Sequence, residues 1–351
     1  MRHDNLYIAG VGAWYPKPMP VDEAIEAGWY DDATQRRSGP LSASVAGDDD
    51  TQPEMAVRAG SLALRHSGLD AAEFGLLLHA TGAFCGLDGW NVASYLQHHV
   101  LADNGLSFEV KQHSNGAMAA IELAAAFLVG RPDRQAAMIT ASDRFVMPVW
   151  NRWRTYPGLV FGDGASAAVL SRTGGFARIA SVVTASRPDL ERAQRAGLSF
   201  MAFPDTSDTQ AYPINLIQRM QTFADEEHGG RIAEVFKIMN QALIRSVEGA
   251  AEEAGTRPAD IDHLVFPNFG RTMLRQEVLT PLQLDADKTV FEWARETGHV
   301  GATDQFGGLE YLMRAGRLEP GQRVLLCGIG LGFNWTSAVL EIDERPVPLA
   351  D

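Results

Sequence analysis

Short continuous apolar runs, each closed by a glycine or a polar turn, alternate along this chain with segments of helical periodicity. Phe74 to Ala80 is one such run and ends on Thr81-Gly82; Gln135 to Ala141 and Gly164 to Leu170 are two more. Runs of this kind predict strands buried on both faces, and the longer segments between them predict the helices that cover those faces. An α/β fold follows. The second half repeats the pattern: Ile261 to Gly270 has the form of Phe74 to Gly82, Arg323 to Gly328 that of Gln135 to Ala141, and Trp335 to Leu340 that of Gly164 to Leu170. The segments leading into the first pair also match, Ala63 to Glu73 against Val247 to Asp260. Two halves, residues 1–175 and 176–351, are therefore expected to have arisen by duplication. Ser186 to Gly230 breaks the pattern: it is polar, holds Pro188, Pro204 and Pro213, and carries Phe200, Met201, Phe203, Leu216 and Met220. It is expected to be an insertion that folds over the functional site, with a plain surface excursion as the alternative.

Composition narrows the classes. At 351 residues and 46% hydrophobic, the chain has material for a large core. A formal net charge of -14 argues against nucleic acid, whose phosphates need a positive face, yet leaves room for a local Arg cluster that holds one phosphate-bearing ligand. Cys85 and Cys327 are far apart and form no CxxC pair, so neither a disulfide framework nor a metal site is expected. No apolar run approaches membrane-spanning length. The first residues lead directly into a strand rather than a leader, which makes the cytoplasm the expected compartment.

One polar knot stands out. Phe108 to Gln112 reads as an extended piece, His113-Ser114-Asn115-Gly116 follows, and an Ala-rich apolar run begins at Ala117. Ser114 thus sits at or just before a helix start, over unpaired N–H groups where a developing anion is favoured. An ordinary Ser N-cap has the same local signature. Farther on come Phe161-Gly162-Asp163-Gly164-Ala165, Ala141-Ser142-Asp143 and Gly332-Phe333-Asn334-Trp335. Together these resemble the ketoacyl-ACP synthase III family of thiolase-fold enzymes: an FGDGA turn, a strand-end SD and a closing Gly-Phe-Thr-Trp stretch, matched over nearly the whole chain. The resemblance implies a duplicated, five-layered αβαβα thiolase fold, a homodimer, and thioester chemistry at the bottom of a pantetheine tunnel. No cofactor would be bound permanently; CoA or phosphopantetheine thioesters would enter as substrates.

The departures carry as much information. Where the family has its nucleophilic Cys, this chain has Ser114. Where a catalytic His follows a strand-end Pro, Pro267 is followed by Asn268. Where the catalytic Asn stands in a later Gly-Asn pair, the pair is Gly298-His299. His and Asn have exchanged places, and Gly298 to Asp304 resembles a divergent branch of starter-unit synthases and acyltransferases of antibiotic pathways, in which a His at the second position serves the nucleophile.

A thiol can be ionised by a helix N-terminus; a hydroxyl needs a general base in hydrogen-bond reach. His299 is the candidate base, with His113 as competitor, although neighbours on a turn usually point apart. A third group should hold the base in one tautomer; Asn334 is the first candidate and Asp304 the second. The resemblance implies an oxyanion hole from the N–H of Ser114 and of the Gly332-Phe333 region. Asn268 is expected to add a side-chain donor near the thioester carbonyl or the acceptor. For the donor's phosphates, pantetheine arm or adenine, or for an acidic carrier protein, the candidates are Arg36, Arg37, Arg144, Arg152 and Arg154 with Trp150.

An acyl-serine is an oxygen ester and a poorer electrophile toward a carbanion than a thioester. The expected function is therefore acyl transfer from acyl-CoA or an acyl carrier protein, through Ser114, to a hydroxyl or to a carrier-protein thiol in polyketide or antibiotic biosynthesis. The insertion is expected to help shape its acyl pocket. Decarboxylative condensation of an acyl-CoA starter with malonyl-ACP is the alternative, and a non-catalytic thiolase-fold partner subunit a second. A serine hydrolase is disfavoured because no G-x-S-x-G elbow surrounds Ser114.

Overall fold

The computed structural model describes residues 5–102, 105–201 and 205–349. Phe203 and Pro204 of the expected insertion, and the first four residues, lie outside the described residues. Nine strands form one sheet: β1 (Tyr7–Trp14), β2 (Phe74–Ala80), β3 (Leu106–Val110), β4 (Ala136–Asp143), β5 (Gly164–Ser171), β6 (Ala177–Ser186), β7 (His263–Val265), β8 (Arg323–Gly330) and β9 (Asn334–Ile342). Their order across the sheet is β3-β2-β4-β5-β1-β6-β9-β8-β7. Setting β3 aside, that order is palindromic about the β1–β6 junction. β2 runs parallel to β4, and β5 and β1 follow antiparallel; β7 runs parallel to β8, and β9 and β6 follow antiparallel. The segments that repeat in the sequence occupy equivalent places.

Among the described residues the two half-sheets pair at Tyr7↔Arg178 and Ile8↔Ala177, with Ile179 N donating to Leu6 O at 2.8 Å, so the halves are joined mainly by what packs between them. That filling is α3 (Gly116–Gly130) and α6 (Asp304–Arg314). α3 is Ala-rich and mostly apolar; Met118, Ile121, Ala124 and Leu128 are buried, while Leu123 and Val129 on its other side are exposed. Its Ala117, Ile121 and Leu128 join Phe306 and Leu309 of α6 and inward residues of both half-sheets in one core. The outer face of the first half is covered by α1 (Gln52–Ser67) and α2 (Val92–Leu96). The outer face of the second half is covered mainly by α5 (Ile232–Glu253), preceded by α4 (Leu216–Glu227). The succession helix, sheet, helix, sheet, helix gives the expected five layers. All residues of β2, β4 and β5 are buried, which is why those strands read as unbroken apolar runs.

His79 is the polar exception inside β2. It is fully buried, with Nδ1 2.9 Å from Thr140 Oγ1 and Nε2 3.4 Å from Ser142 Oγ. Burial pushes its imidazole down from 6.5 to about 3. Between those values the unfolded chain binds the proton and the folded one does not, so this residue makes stability fall as pH falls. His79→Gln, which can keep a bond to Thr140, removes that contribution. Urea titrations between pH 6 and 4 should show the variant's unfolding free energy declining less steeply than the wild type's, by up to about 1.4 kcal/mol per pH unit. Equal slopes would exclude a neutral buried ring.

Candidate active site

Ser114 lies in the 3-10 turn His113–Asn115 that leads straight into α3. The turn is fixed to the other half of the molecule by Asn115, which is fully buried. Asn115 Nδ2 donates to Gln112 Oε1 and to Thr336 Oγ1, both at 3.0 Å, and its Oδ1 accepts from Thr336 N at 3.1 Å. Gly330 has to be glycine here: a Cβ on it would lie 2.1 Å from Gln112 O. His113 takes φ 47, a left-handed conformation that a His tolerates better than most residues. Burial, with Lys111 adding to it, pushes His113 down to about 4. His113 lines the same cavity as Ser114, but the partner of the hydroxyl is another ring.

Ser114 Oγ is 2.8 Å from His299 Nε2. The other ring nitrogen, Nδ1, is 2.6 Å from Asp304 Oδ2. His299 is 4% exposed and Asp304 not at all. Asp304 begins α6 and so occupies the dipole-favoured end of that helix. It also accepts from Val300 N at 2.8 Å and Asn268 N at 2.7 Å. With a backbone donor on each carboxylate oxygen, Asp304 is a satisfied buried acceptor that leaves Oδ2 facing the imidazole. The backbone of His299 is held as firmly: its N–H donates to Val160 O at 2.8 Å and its carbonyl accepts from Gly162 N at 2.9 Å. Hydroxyl, imidazole and carboxylate thus stand in line, the arrangement in which a neutral His accepts a hydroxyl proton while a carboxylate fixes its tautomer.

Asp143, from the strand-end Ala141-Ser142-Asp143, supports the site from beneath. Its Oδ1 accepts from Gly82 N, Ala83 N and Thr81 Oγ1, at 2.8, 2.9 and 3.1 Å, and its Oδ2 accepts from Ala302 N at 3.1 Å. Full burial pushes its carboxyl up to about 6 in spite of these donors. Gly301 has φ +59, and a Cβ there would lie 2.0 Å from Asp143 Oδ2, so the loop that carries His299 can press against Asp143 only with glycine at that position.

Several expectations need correction. Asn334 does not hold the base: it opens β9 opposite Gly330 and Ser186, and Nδ1 of His299 is taken by Asp304. Asn268 does not line the cavity; its Nδ2 donates to Gly298 O at 2.7 Å. Phe333 N–H is directed to Arg187 O at 3.3 Å rather than to an oxyanion, while Phe333 itself lines the cavity. Gly332 forms the turn beside it, with a Cβ position 2.8 Å from Asn334 Nδ2.

The basic candidates are dispersed. Arg152 grips the buried Asp163 with both Nη atoms, at 3.0 and 2.7 Å, and also donates to the carbonyls of Phe161 and Phe145. It is a structural ion pair and is not presented to a ligand. Arg144 Nη1 donates to Asp50 O at 3.4 Å. At the surface, Arg36 pairs with Asp32, Arg37 bonds Thr34 Oγ1 at 3.1 Å, and Arg154 donates to the carbonyls of Trp29 and Gly28 at 3.0 and 2.8 Å. Arg154 therefore lies beside the exposed Trp29. Trp150 is buried against Phe145 and Phe161 and forms part of the inner cavity wall.

That cavity, of about 150 Å³, holds Ser114 and His299 and is otherwise mostly apolar. Ala193, Gln194, Leu216 and Met220 from the irregular segment line it, whereas Phe200 and Met201 of the same segment are exposed. The sequence reading missed the contribution of α5, whose Phe236, Met239, Asn240 and Leu243 face the cavity. Their spacing is legible as one helical face, but core-packing positions share the same period. Among the described residues, no group of three or more His, Cys, Asp or Glu could hold a metal ion, and no helix is long and apolar enough to cross a membrane.

The duplicated five-layered fold is that of the thiolase-like enzymes. Residues 108–188 match the profile of 3-oxoacyl-(acyl-carrier-protein) synthase III, and residues 251–342 match its C-terminal counterpart; the chain belongs to this family. The solved structure of the acyltransferase ChlB3 is 32% identical, with a TM-score of 0.91, over 99% of this chain and 100% of that one. Acetoacetyl CoA synthase NphT7 of Streptomyces sp. (strain CL190) is 28% identical over 348 residues, 97% of this chain and 100% of the relative. The priming β-ketosynthase of the R1128 polyketide pathway shares the fold at 22% identity, with a TM-score of 0.76 over 98% of each chain.

The assignment of Arg152 can be tested by stability. Arg152→Ala leaves Asp163 buried without its counter-ion and should cost about 3–5 kcal/mol, whereas Arg154→Ala at the surface should cost about 0.5 kcal/mol or less. Chemical denaturation of the two variants distinguishes them, and similar costs would remove the structural role from Arg152.

Proposed function

We propose that this enzyme is an acyltransferase that carries the acyl group on Ser114. The observation that supports it is the relay from Ser114 Oγ to His299 Nε2 at 2.8 Å and from Nδ1 to Asp304 Oδ2 at 2.6 Å. His299 takes the hydroxyl proton as Oγ bonds to the carbonyl carbon of an acyl-CoA or acyl carrier protein thioester. The tetrahedral intermediate collapses as the carbon–sulfur bond breaks, and His299 passes the proton to the departing thiolate. In the second half-reaction His299 deprotonates an acceptor hydroxyl or carrier-protein thiol. The acceptor attacks the ester, and the proton returns to Ser114. Asp304 stabilises the imidazolium in both steps. The N–H of Ser114, in the turn that leads into the N-terminus of α3, is the proposed first oxyanion donor.

Transfer is favoured over decarboxylative condensation because Asn268, whose Nδ2 donates to Gly298 O, does not line the cavity that holds Ser114. A malonyl carboxylate at Ser114 would therefore lack that donor. ChlB3 carries the name acyltransferase, which agrees with this reading, while the synthase names of other relatives keep condensation as the comparison to be tested. We also propose a homodimer formed through β3, an edge strand of the sheet whose Leu106 and Phe108 are about half exposed. Such an edge invites pairing with a second copy.

Incubation with a panel of acyl-CoAs should add one acyl mass to the intact protein and none to Ser114→Ala. Asp304→Asn should bind donor normally yet lower the acylation rate by about 10⁴-fold, the loss found when a Ser-His-Asp triad keeps its geometry but has the wrong tautomer. Malonyl carrier protein added to the acylated enzyme should give no carbon–carbon bond; a 3-oxoacyl product would establish condensation instead. Phe108→Lys should shift the light-scattering mass in solution from two chains to one, and a monomeric wild type would remove the dimer.

A further inference from the structure

Within the largely apolar cavity that holds Ser114, one buried side-chain donor has no partner among the described residues. Gln194 ends the 3-10 helix Pro188–Gln194, lines the cavity, and keeps its Nε2 buried with no hydrogen-bond acceptor among the described residues. A buried donor left unpaired is costly, and the cost is relieved when something that enters the cavity accepts from it. The wall carries further polar groups that the proposed transfer step does not use. Asn240 Nδ2 donates to the backbone carbonyl of Glu277, and the side chains of Asn240, Glu277 and Tyr156 all line the cavity. Glu277 is near enough to Tyr156 to help burial raise the phenol, and burial raises the Glu277 carboxyl as well. A pocket meant for a plain hydrocarbon chain has no use for an unsatisfied amide, a phenol and a carboxyl.

We propose that the acyl group this enzyme accepts carries an oxygen substituent, a carbonyl or hydroxyl, that accepts a hydrogen bond from Gln194 Nε2. The proposal rests on the reading of Ser114 as the acyl-carrying residue and specifies the substrate class of that site. Size limits the choice. At about 150 Å³, the cavity equals a hole known to take a benzene-sized guest, so the acyl group has about six to eight non-hydrogen atoms. The remaining walls, including Trp150, Phe161, Phe269 and Phe333, cover its apolar part.

The test uses hexanoyl-CoA against 4-oxo- and 5-oxohexanoyl-CoA, with two readouts. Binding is measured by calorimetry on Ser114→Ala, which needs no acylation, and acylation of the wild type is followed by intact mass. At least one oxo thioester should bind Ser114→Ala about tenfold more tightly than hexanoyl-CoA and be acylated preferentially by a similar factor. Gln194→Met, close in length and apolar, should erase or reverse that preference without lowering the melting temperature. Equal or better binding of hexanoyl-CoA, or an oxo preference that survives Gln194→Met, would overturn the proposal. A preference in binding without any acylation of the wild type would instead overturn the acyl-serine reading and leave the pocket assignment standing.

Discussion

The Asp304 carboxylate is the constraint on which the site depends. Buried completely at the start of α6, it accepts from the His299 ring, from Val300 N and from Asn268 N. These three bonds fix the tautomer of the imidazole, the turn after it and the loop after β7 with one charged group. The bond to His299 leaves Nε2 free to face a hydroxyl. The helix end favours the negative charge, and the two backbone donors offset what burial alone would cost.

Around that carboxylate, polar pins repeatedly cross between the halves. Asn115 bonds Thr336, Asp143 bonds Ala302, and the backbone of His299 bridges Val160 and Gly162. The apolar layers on α3 and α6 supply most of the cohesion, since burial of hydrocarbon is the dominant favourable contribution. They are tolerant of small shifts in a way that a hydrogen bond near 2.8 Å is not. Cohesion and placement are thus divided between different residues, and the line from Ser114 through His299 to Asp304 is built from the second kind.

Much of this was legible in the sequence for identifiable reasons. β2, β4 and β5 are covered on both faces, so their residues are apolar without alternation and stand out as runs. The duplication was visible because each run has its counterpart at an equivalent place in the sheet. His299 could be singled out as a partner for Ser114 because a hydroxyl nucleophile needs a base. The choice between Asn334 and Asp304 was not legible: each opens an element, Asn334 the strand β9 and Asp304 the helix α6, and only the path of the chain through Gly298 and Gly301 decides which side chain meets Nδ1. Arg152 was a candidate contact for the donor because nothing in the sequence shows that Asp163, eleven residues on, is buried beside it. The cavity face of α5 was hidden for the opposite reason, since lining a pocket and packing a core impose the same spacing.

Ser114 and His299 stand 185 positions apart in the chain and are delivered by opposite halves whose sheets meet over two residue pairs. Non-local contacts of this kind form late, because loop closure must precede them. A chain still emerging from the ribosome carries its hydroxyl long before its base exists, and each half alone holds only one member of the pair. On the proposed acyl-serine mechanism, reactivity toward thioesters would therefore arise only once both halves have docked.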